Sequence, residues 1–305
     1  MTTANFPSMH PQPLLEHRCA LGESPLWDDA QQLFCWVDIT RGQLHQFAPS
    51  TGMHTAFGVQ QMLGAIGLCS NGDFIAALQN GIGIINRLTN NVSIVAEPEA
   101  HLPGNRFNEA KCGPDGRFWA GTLSLSDAMG AGSLYRMEAN GSCTKVLTEL
   151  TTSNGMAWTA DGAVFYYIDS PTQQIVAYDY DKAGGIISNK RVAVNVPSKD
   201  GTPDGMTIDT EGMLWTGCWG GWQVARWNPH TGEKLGQVDL PVAQVSSCIF
   251  GGPGFDDLYI TTAGKELSAA ESAAQPLAGT SFIVRNCGFK GLPTYRFDVS
   301  QLPRF

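Results

Sequence analysis

The sequence predicts an all-β chain, a six-bladed β-propeller with four antiparallel strands per blade. Three observations predict it. A strand–turn–strand pattern recurs six times, and its copies are spaced like propeller blades, from 41 residues (Glu23 to Gly64) to 50 (Asn154 to Asp204). No stretch of useful length shows a helical period. Charged residues are only 15% of the chain and glycines number 35, a composition that suits short strands joined by tight turns.

The register is set by one column. Glu23, Gly64, Asn108, Asn154, Asp204 and Ser246 each stand four places before an apolar strand residue: Trp27, Leu68, Cys112, Trp158, Ile208 and Phe250. The first copy reads SPLWDDAQQLFCWVDITRGQLHQF and the second GLCSNGDFIAALQNGIGIINR. The third, AKCGPDGRFWAGTLS, continues to GSLYRM; the fourth is GMAWTADGAVFYYIDSPTQQIVAYDY. The fifth is GMTIDTEGMLWTGCWGGWQVARWNP, and the sixth runs from SCIFGGPGFDDLYITTA to TSFIVRN. Turn dipeptides follow the column in four copies, at Asn71-Gly72, Asp115-Gly116, Asp161-Gly162 and Glu211-Gly212. A more polar fourth strand is expected in most copies, as in MHTAFG and KRVAVNV.

The ring must close, because an open propeller leaves two sheet edges exposed. Leu14–Cys19 is the segment expected to lend a strand to the last blade. Residues 1–13 read as a disordered N-terminal tail, and 14–305 as one propeller domain. The Ala-rich stretch Glu266–Ala274 is expected to be a loop or a single helical turn.

Composition excludes several functions. The 19 Lys and Arg are scattered in a chain of net charge −9, so no basic patch awaits nucleic acid. No apolar run is long enough to span a membrane. The eight cysteines form no Cys-x-x-Cys pair, and without a signal-like N-terminus they read as reduced thiols in the cytoplasm. A zinc–cysteine site is not expected. A monomer or weak oligomer is.

The column carries the chemistry. A position repeated once per blade lies at one height around the axis, and here four copies supply oxygen donors: Glu23, Asn108, Asn154 and Asp204. Carboxylate and amide oxygens are hard ligands suited to one divalent cation, Ca²⁺ first, with Mg²⁺, Mn²⁺, Fe²⁺ or Zn²⁺ as alternatives. None of the six histidines falls in the column. Asn154-Gly155 and Asp204-Gly205 also read as plain turn dipeptides, whereas turn geometry does not ask for Glu23. Asn108 suits the metal through water, or a substrate. Arg106, two residues earlier, is placed to lean over the channel mouth. Asp127, in the loop SLSDAMGAG, is placed to approach the same mouth. Glu109 and Lys111 are expected to pack between blades or pair locally, and Trp219 and Trp222 to pack in the core. Neither a Gly-x-Ser-x-Gly elbow nor a phosphate-binding glycine loop is present.

The motifs GESPLW, RFNEAKCGPDGRFWAGT, SNGMAW, PDGMTID, WGGW and FGGPGFDDLYITTA, in this order, resemble the SMP-30/gluconolactonase/luciferin-regenerating family. The resemblance implies a six-bladed propeller that opens sugar-acid lactones with a divalent metal in its channel. It implies Glu23, Asn154 and Asp204 as metal ligands, and Arg106 and Asn108 as substrate contacts. Two places depart from the family pattern: Glu109 stands where Asp is usual, and Asp127 is the only acid of its loop, at a shifted position.

The function expected is therefore hydrolysis of an aldonolactone, such as a glucono-, xylono- or arabinonolactone, to its open aldonate in sugar catabolism. Asp204 is the expected catalytic base and Arg106, Asn108 and Asp127 the substrate contacts. The alternatives are an ester or organophosphate hydrolase on the same scaffold and a non-catalytic calcium-binding regulator.

Overall fold

In the computed structural model, which describes residues 6–302, six four-stranded antiparallel sheets form the six blades of a propeller. The innermost strands are Gly22–Asp28, Leu63–Cys69, Asn105–Cys112, Ser153–Trp158, Thr202–Ile208 and Val245–Gly251, for blades I to VI. They are buried almost throughout, because each is covered by the neighbouring blades as well as by its own sheet. The outermost strands, such as Met53–Gly58 and Ile186–Asn195, are largely exposed, which is why their sequences are polar. Gly72, Gly116, Gly162 and Gly212 all take left-handed backbone, as the predicted turns require.

Large aromatic side chains fill the wedges between blades. Trp119 of blade III meets Trp158 of blade IV edge-on at 6.1 Å, and Phe165 lies 4.6 Å from Trp158. Trp27 stacks on Tyr259 at 5.5 Å across the seam between blades I and VI. Trp119 is fully buried, so Trp119→Ala should cost about 3–5 kcal/mol through lost burial and the cavity left behind. Thermal unfolding checks this; a change under about 1 kcal/mol would mean that the wedge collapses around the gap.

Closure differs in detail from expectation. The strand that completes blade VI is Gln12–Pro13, paired with Phe282–Val284, and not Leu14–Cys19. The outermost position tolerates Pro13, which has no N–H to give to a ladder. Leu14 and Cys19 still donate backbone hydrogen bonds to Ser281 and Gly279, both at 2.8 Å. Between them the chain leaves the ladder so that Leu14 and Leu15 pack on the aromatic cluster of Trp27, Phe34, Trp36 and Tyr259. Of the expected tail, residues 1–5 lie outside the described residues. Phe6 packs between Trp215 and Phe289, with ring centroids at 5.9 and 5.6 Å. At the other terminus, Arg296–Phe297 adds a short parallel strand to the inner edge of blade II. Ala269–Ala274 is a short helix, capped by reciprocal bonds between Ser268 and Glu271.

The feature that positions the site is a repeated irregularity. In every blade the inner strand slips register against its neighbour at the column position: Glu23/Leu26, Leu63/Ala65, Phe107/Ala110, Ser153/Met156, Pro203/Met206 and Val245/Ser247. A regular strand points alternate side chains at the two adjoining blades. A bulge breaks that alternation and re-aims a side chain, here toward the axis. Gly155 and Gly205, expected as turn residues, lie inside these buried strands. A Cβ on Gly155 would come within 2.6 Å of the Met206 side chain, and one on Gly205 within 2.0 Å of the Ser247 hydroxyl. They are glycines because neighbouring inner strands touch there.

Candidate metal centre

A cavity of about 350 Å³ opens at one end of the channel. Glu23, Arg106, Asn108, Asp127, Asn154 and Asp204 all line it, so every site residue expected from sequence arrives in one place. The first three acids and amides of the column and Asp204 are each 5–7% exposed. Asp127 is exposed on the rim, with left-handed backbone at φ 55°.

A chain of hydrogen bonds orients the amides. Arg106 donates to the Asn108 side-chain oxygen at 2.7 Å and to the Phe107 carbonyl at 2.9 Å. The Asn108 amide nitrogen donates to the Asn154 side-chain oxygen at 2.8 Å and to the Ser153 carbonyl at 2.9 Å. Asn154 in turn donates to the Ser170 hydroxyl at 2.7 Å, and that hydroxyl donates to the Pro203 carbonyl at 2.7 Å. Asn154 thus keeps its oxygen turned into the cavity, with a lone pair left over. On blade I, Ser24 takes a left-handed conformation (φ 49°), and its N–H donates to the Glu23 carboxylate at 3.0 Å. A serine rarely adopts that backbone, and the strain is stored beside the carboxylate it orients.

The electrostatics are unbalanced. Burial, reinforced by repulsion from Glu109, pushes the Glu23 carboxyl up to about 8. Asp204 is raised well above the usual carboxylate range by burial and then by Glu23 and Glu109. Burial raises Glu109 as well. Arg106 is lowered to about 10 by burial, against the pull of Glu23, Asp204 and Asp127. Three carboxyl groups around one axis therefore face a single buried arginine, Arg106, and a half-buried lysine, Lys111. Two carboxylates and a fixed amide oxygen match a hard divalent cation, which would supply the missing positive charge. The residues fit such an ion, with Glu23, Asn154 and Asp204 to hold it.

Several cavity residues escaped the sequence reading. Ser170, which holds Asn154, gave no signal beyond a Ser-Pro after a strand. Trp219, expected in the core, is half-buried and lines the cavity, and Trp222 lies 45% exposed at the surface. Lys265 and Glu266 line the rim and pair at 3.0 Å. Glu109 and Lys111 do not form an ion pair with each other; Lys111 donates to the Met206 carbonyl at 2.7 Å. Both line a second, narrower cavity of about 70 Å³ farther along the inner strands, walled by Leu26, Met156, Ile208 and the C-terminal Leu292–Tyr295.

Residues 21–264 match the family described as SMP-30/Gluconolactonase/LRE-like region. The chain belongs to this family. It is 36% identical over 265 residues to the candidate sugar lactone lactonase YvrE of Bacillus subtilis, covering 87% of this chain and 91% of that one. It is 35% identical to regucalcin of Danio rerio, covering 93% and 97% of the two chains. Among solved structures, a luciferin-regenerating enzyme superposes with a TM-score of 0.90 at 29% identity, over 95% of this chain and all of the other. The calcium-binding protein regucalcin of Agrobacterium tumefaciens superposes with a TM-score of 0.89 at 27% identity, covering 95% and 98%.

Proposed function

We propose that this chain is a metal-dependent lactonase that opens five- or six-carbon aldonolactones to aldonates in sugar catabolism. The observation that carries the reading is the convergence of Glu23, Asn154 and Asp204 with Arg106, Asn108 and Asp127 in one cavity. Membership of a family that includes named lactonases supports the reaction class.

A divalent cation held by Glu23, Asn154 and Asp204, Ca²⁺ before Mn²⁺, Zn²⁺, Fe²⁺ or Mg²⁺, supplies Lewis-acid polarisation of the lactone carbonyl. The protein supplies the rest. Asp204 takes a proton from the attacking water as its oxygen bonds to the acyl carbon. The acyl–oxygen bond of the ring then breaks as Asp204 returns its proton to the ring oxygen, which leaves as a hydroxyl. Asn108, held between Arg106 and Asn154, and Arg106 itself bind sugar hydroxyls by hydrogen bonds, the latter charge-assisted. Asp127 meets hydroxyls at the rim. The half-buried Trp219 offers an aromatic wall to the sugar ring. The eight cysteines, all unpaired and all but Cys143 buried, suit a reducing cytoplasm. No helix among the described residues is long and apolar enough to cross a membrane.

Metal-stripped protein reloaded with each cation and assayed for acid release from aldonolactones tests the proposal. Turnover that is equal with and without metal would sink it. The exposed Leu125 and Met129 on the Asp127 loop also make an aryl ester or phosphotriester a fair competitor substrate. Preference for that substrate would favour the ester-hydrolase reading, and metal binding without any turnover would favour a calcium-binding regulator. Arg106→Ala should raise KM for the lactone by about tenfold or more, the worth of one charge-assisted hydrogen bond, with a smaller change in kcat. Steady-state kinetics would show the split.

A further inference from the structure

The geometry points to a second metal site, a zinc-type centre formed by His17, Cys19 and His45 on the outer side of blade I, away from the channel. His17 and Cys19 lie on the strap that follows the closing strand Gln12–Pro13, and His45 lies in the third strand of blade I, Gln43–Ala48. One ligand atom from each of the three falls within 4.8 Å of the others. No Cys–His spacing announced this, and a zinc–cysteine site was not expected. The three residues meet because ring closure brings the strap across blade I.

Three observations say that a ligand belongs there. His45 is fully buried, and its Nε2 has no hydrogen-bond partner. The Nε2 of His17 is likewise buried and unpartnered. An orphaned buried polar atom costs about 1–3 kcal/mol, and two imidazole nitrogens beside one thiol make an expensive way to fill space. The other nitrogen of His45 is already engaged, 3.1 Å from His54 Nε2, an arrangement that fixes the ring and leaves Nε2 as the free ligand atom.

The surroundings are built to match. Trp36 stacks on His45 at 4.9 Å and on His54 at 5.4 Å, both at 13°, so the imidazoles are held by a flat wall. The Trp36 indole N–H donates to the Cys19 sulfur at 3.3 Å and so fixes its position; burial pushes this thiol up to about 12, and the Trp36 bond works against that. Two imidazoles and a thiolate are borderline-to-soft donors, suited to Zn²⁺ and poorly suited to the Ca²⁺ expected in the channel. Zinc ligands stand about 2.0–2.3 Å from the ion, so the three must draw together slightly. His17, half-buried on the strap, has room to do so, and its open side leaves the fourth corner of the tetrahedron to water. The ion would tie the closing strap to the first blade, reinforcing the seam that shuts the ring.

The test uses Co²⁺ as a spectroscopic stand-in on metal-stripped full-length protein, with excess Ca²⁺ present to fill the channel. One equivalent of Co²⁺ should give a thiolate-to-cobalt charge-transfer band and the intense visible bands of tetrahedral cobalt, both displaced by Zn²⁺. Cys19→Ser should remove the charge-transfer band. His17→Ala, a change at a half-buried position that should leave folding intact, should weaken Co²⁺ binding at least about tenfold. It should also abolish the Zn²⁺-induced rise in melting temperature. A spectrum without the thiolate band in the wild type, or one that persists in Cys19→Ser, would overturn the site and leave water as the occupant of the pocket. None of these readouts depends on turnover, so the lactonase proposal and this one fail separately.

Discussion

Asp204→Asn is expected to remove most of the lactonase activity while leaving the protein at least as stable as before. The Asn keeps an oxygen for the cation but cannot accept a proton from water, so kcat should fall by about 10²–10⁴-fold, the usual worth of a general base. Asp204→Ala, which also deletes a ligand, should abolish metal-dependent turnover altogether. Stability should move the other way in metal-free protein. Asp204 is raised well above the ordinary carboxylate range by burial and then by Glu23 and Glu109, so the metal-free fold must either bury an anion there or take up a proton, a cost that the neutral Asn does not carry. A loss of activity with an unchanged or higher melting temperature is the signature of a functional residue that the fold tolerates at a cost. Near-native kcat in Asp204→Asn would defeat the assignment of the base. Equal losses of activity and stability would point to a structural role.

Metal removal should invert the dependence of stability on pH. In the unfolded chain Glu23 releases its proton near the ordinary value of 4.5, whereas in the metal-free fold it holds the proton up to about 8. Between those values the folded state binds more protons than the unfolded one, so stability falls as pH rises through the window. The chelated protein should therefore melt at a lower temperature at pH 8 than at pH 5, as far as this group decides. The cation competes with that proton. The Glu23 proton alone should make affinity climb by about tenfold per pH unit across the window, and the raised carboxyl of Asp204, a second ligand, should steepen the climb. Calorimetric scans with chelator and with Ca²⁺, at several pH values, would show two curves diverging as pH rises. Parallel curves would mean that Glu23 does not hold the cation. Glu23→Gln should flatten the dependence of affinity on pH and weaken binding.

The column was legible because a propeller repeats one position at one height. A periodicity of about 45 residues is enough to say that Glu23, Asn108, Asn154 and Asp204 share a ring, whatever the details between them. Arg106 and Asp127 were within reach for the same reason, as near neighbours of that ring on the same end. Glu109 shows where such reasoning stops. Strand alternation assigns it to the packing between blades, but the bulge from Phe107 to Ala110 suspends alternation, and its carboxyl acts on Glu23 and Asp204. Gly155 and Gly205 are a related case. An Asn-Gly or Asp-Gly pair has the chemistry of a turn, and only the close approach of neighbouring inner strands reveals that the glycine serves contact. The closing strand was displaced to Gln12–Pro13 because Leu14 and Leu15 gain more from the aromatic seam than from a ladder, a competition invisible in a local pattern.

By itself the sequence determined the six-fold repeat, the strand and turn order within each blade and the ring of oxygen donors, all of which follow from periodicity and local residue chemistry. Only the tertiary structure decided which way those donors point, what holds Asn154, and that His17, Cys19 and His45 share a pocket. The physical reason is distance along the chain. Bulges, closure of the ring and the meeting of a strap with a remote strand depend on contacts between segments far apart in sequence, and no window of neighbouring residues contains them.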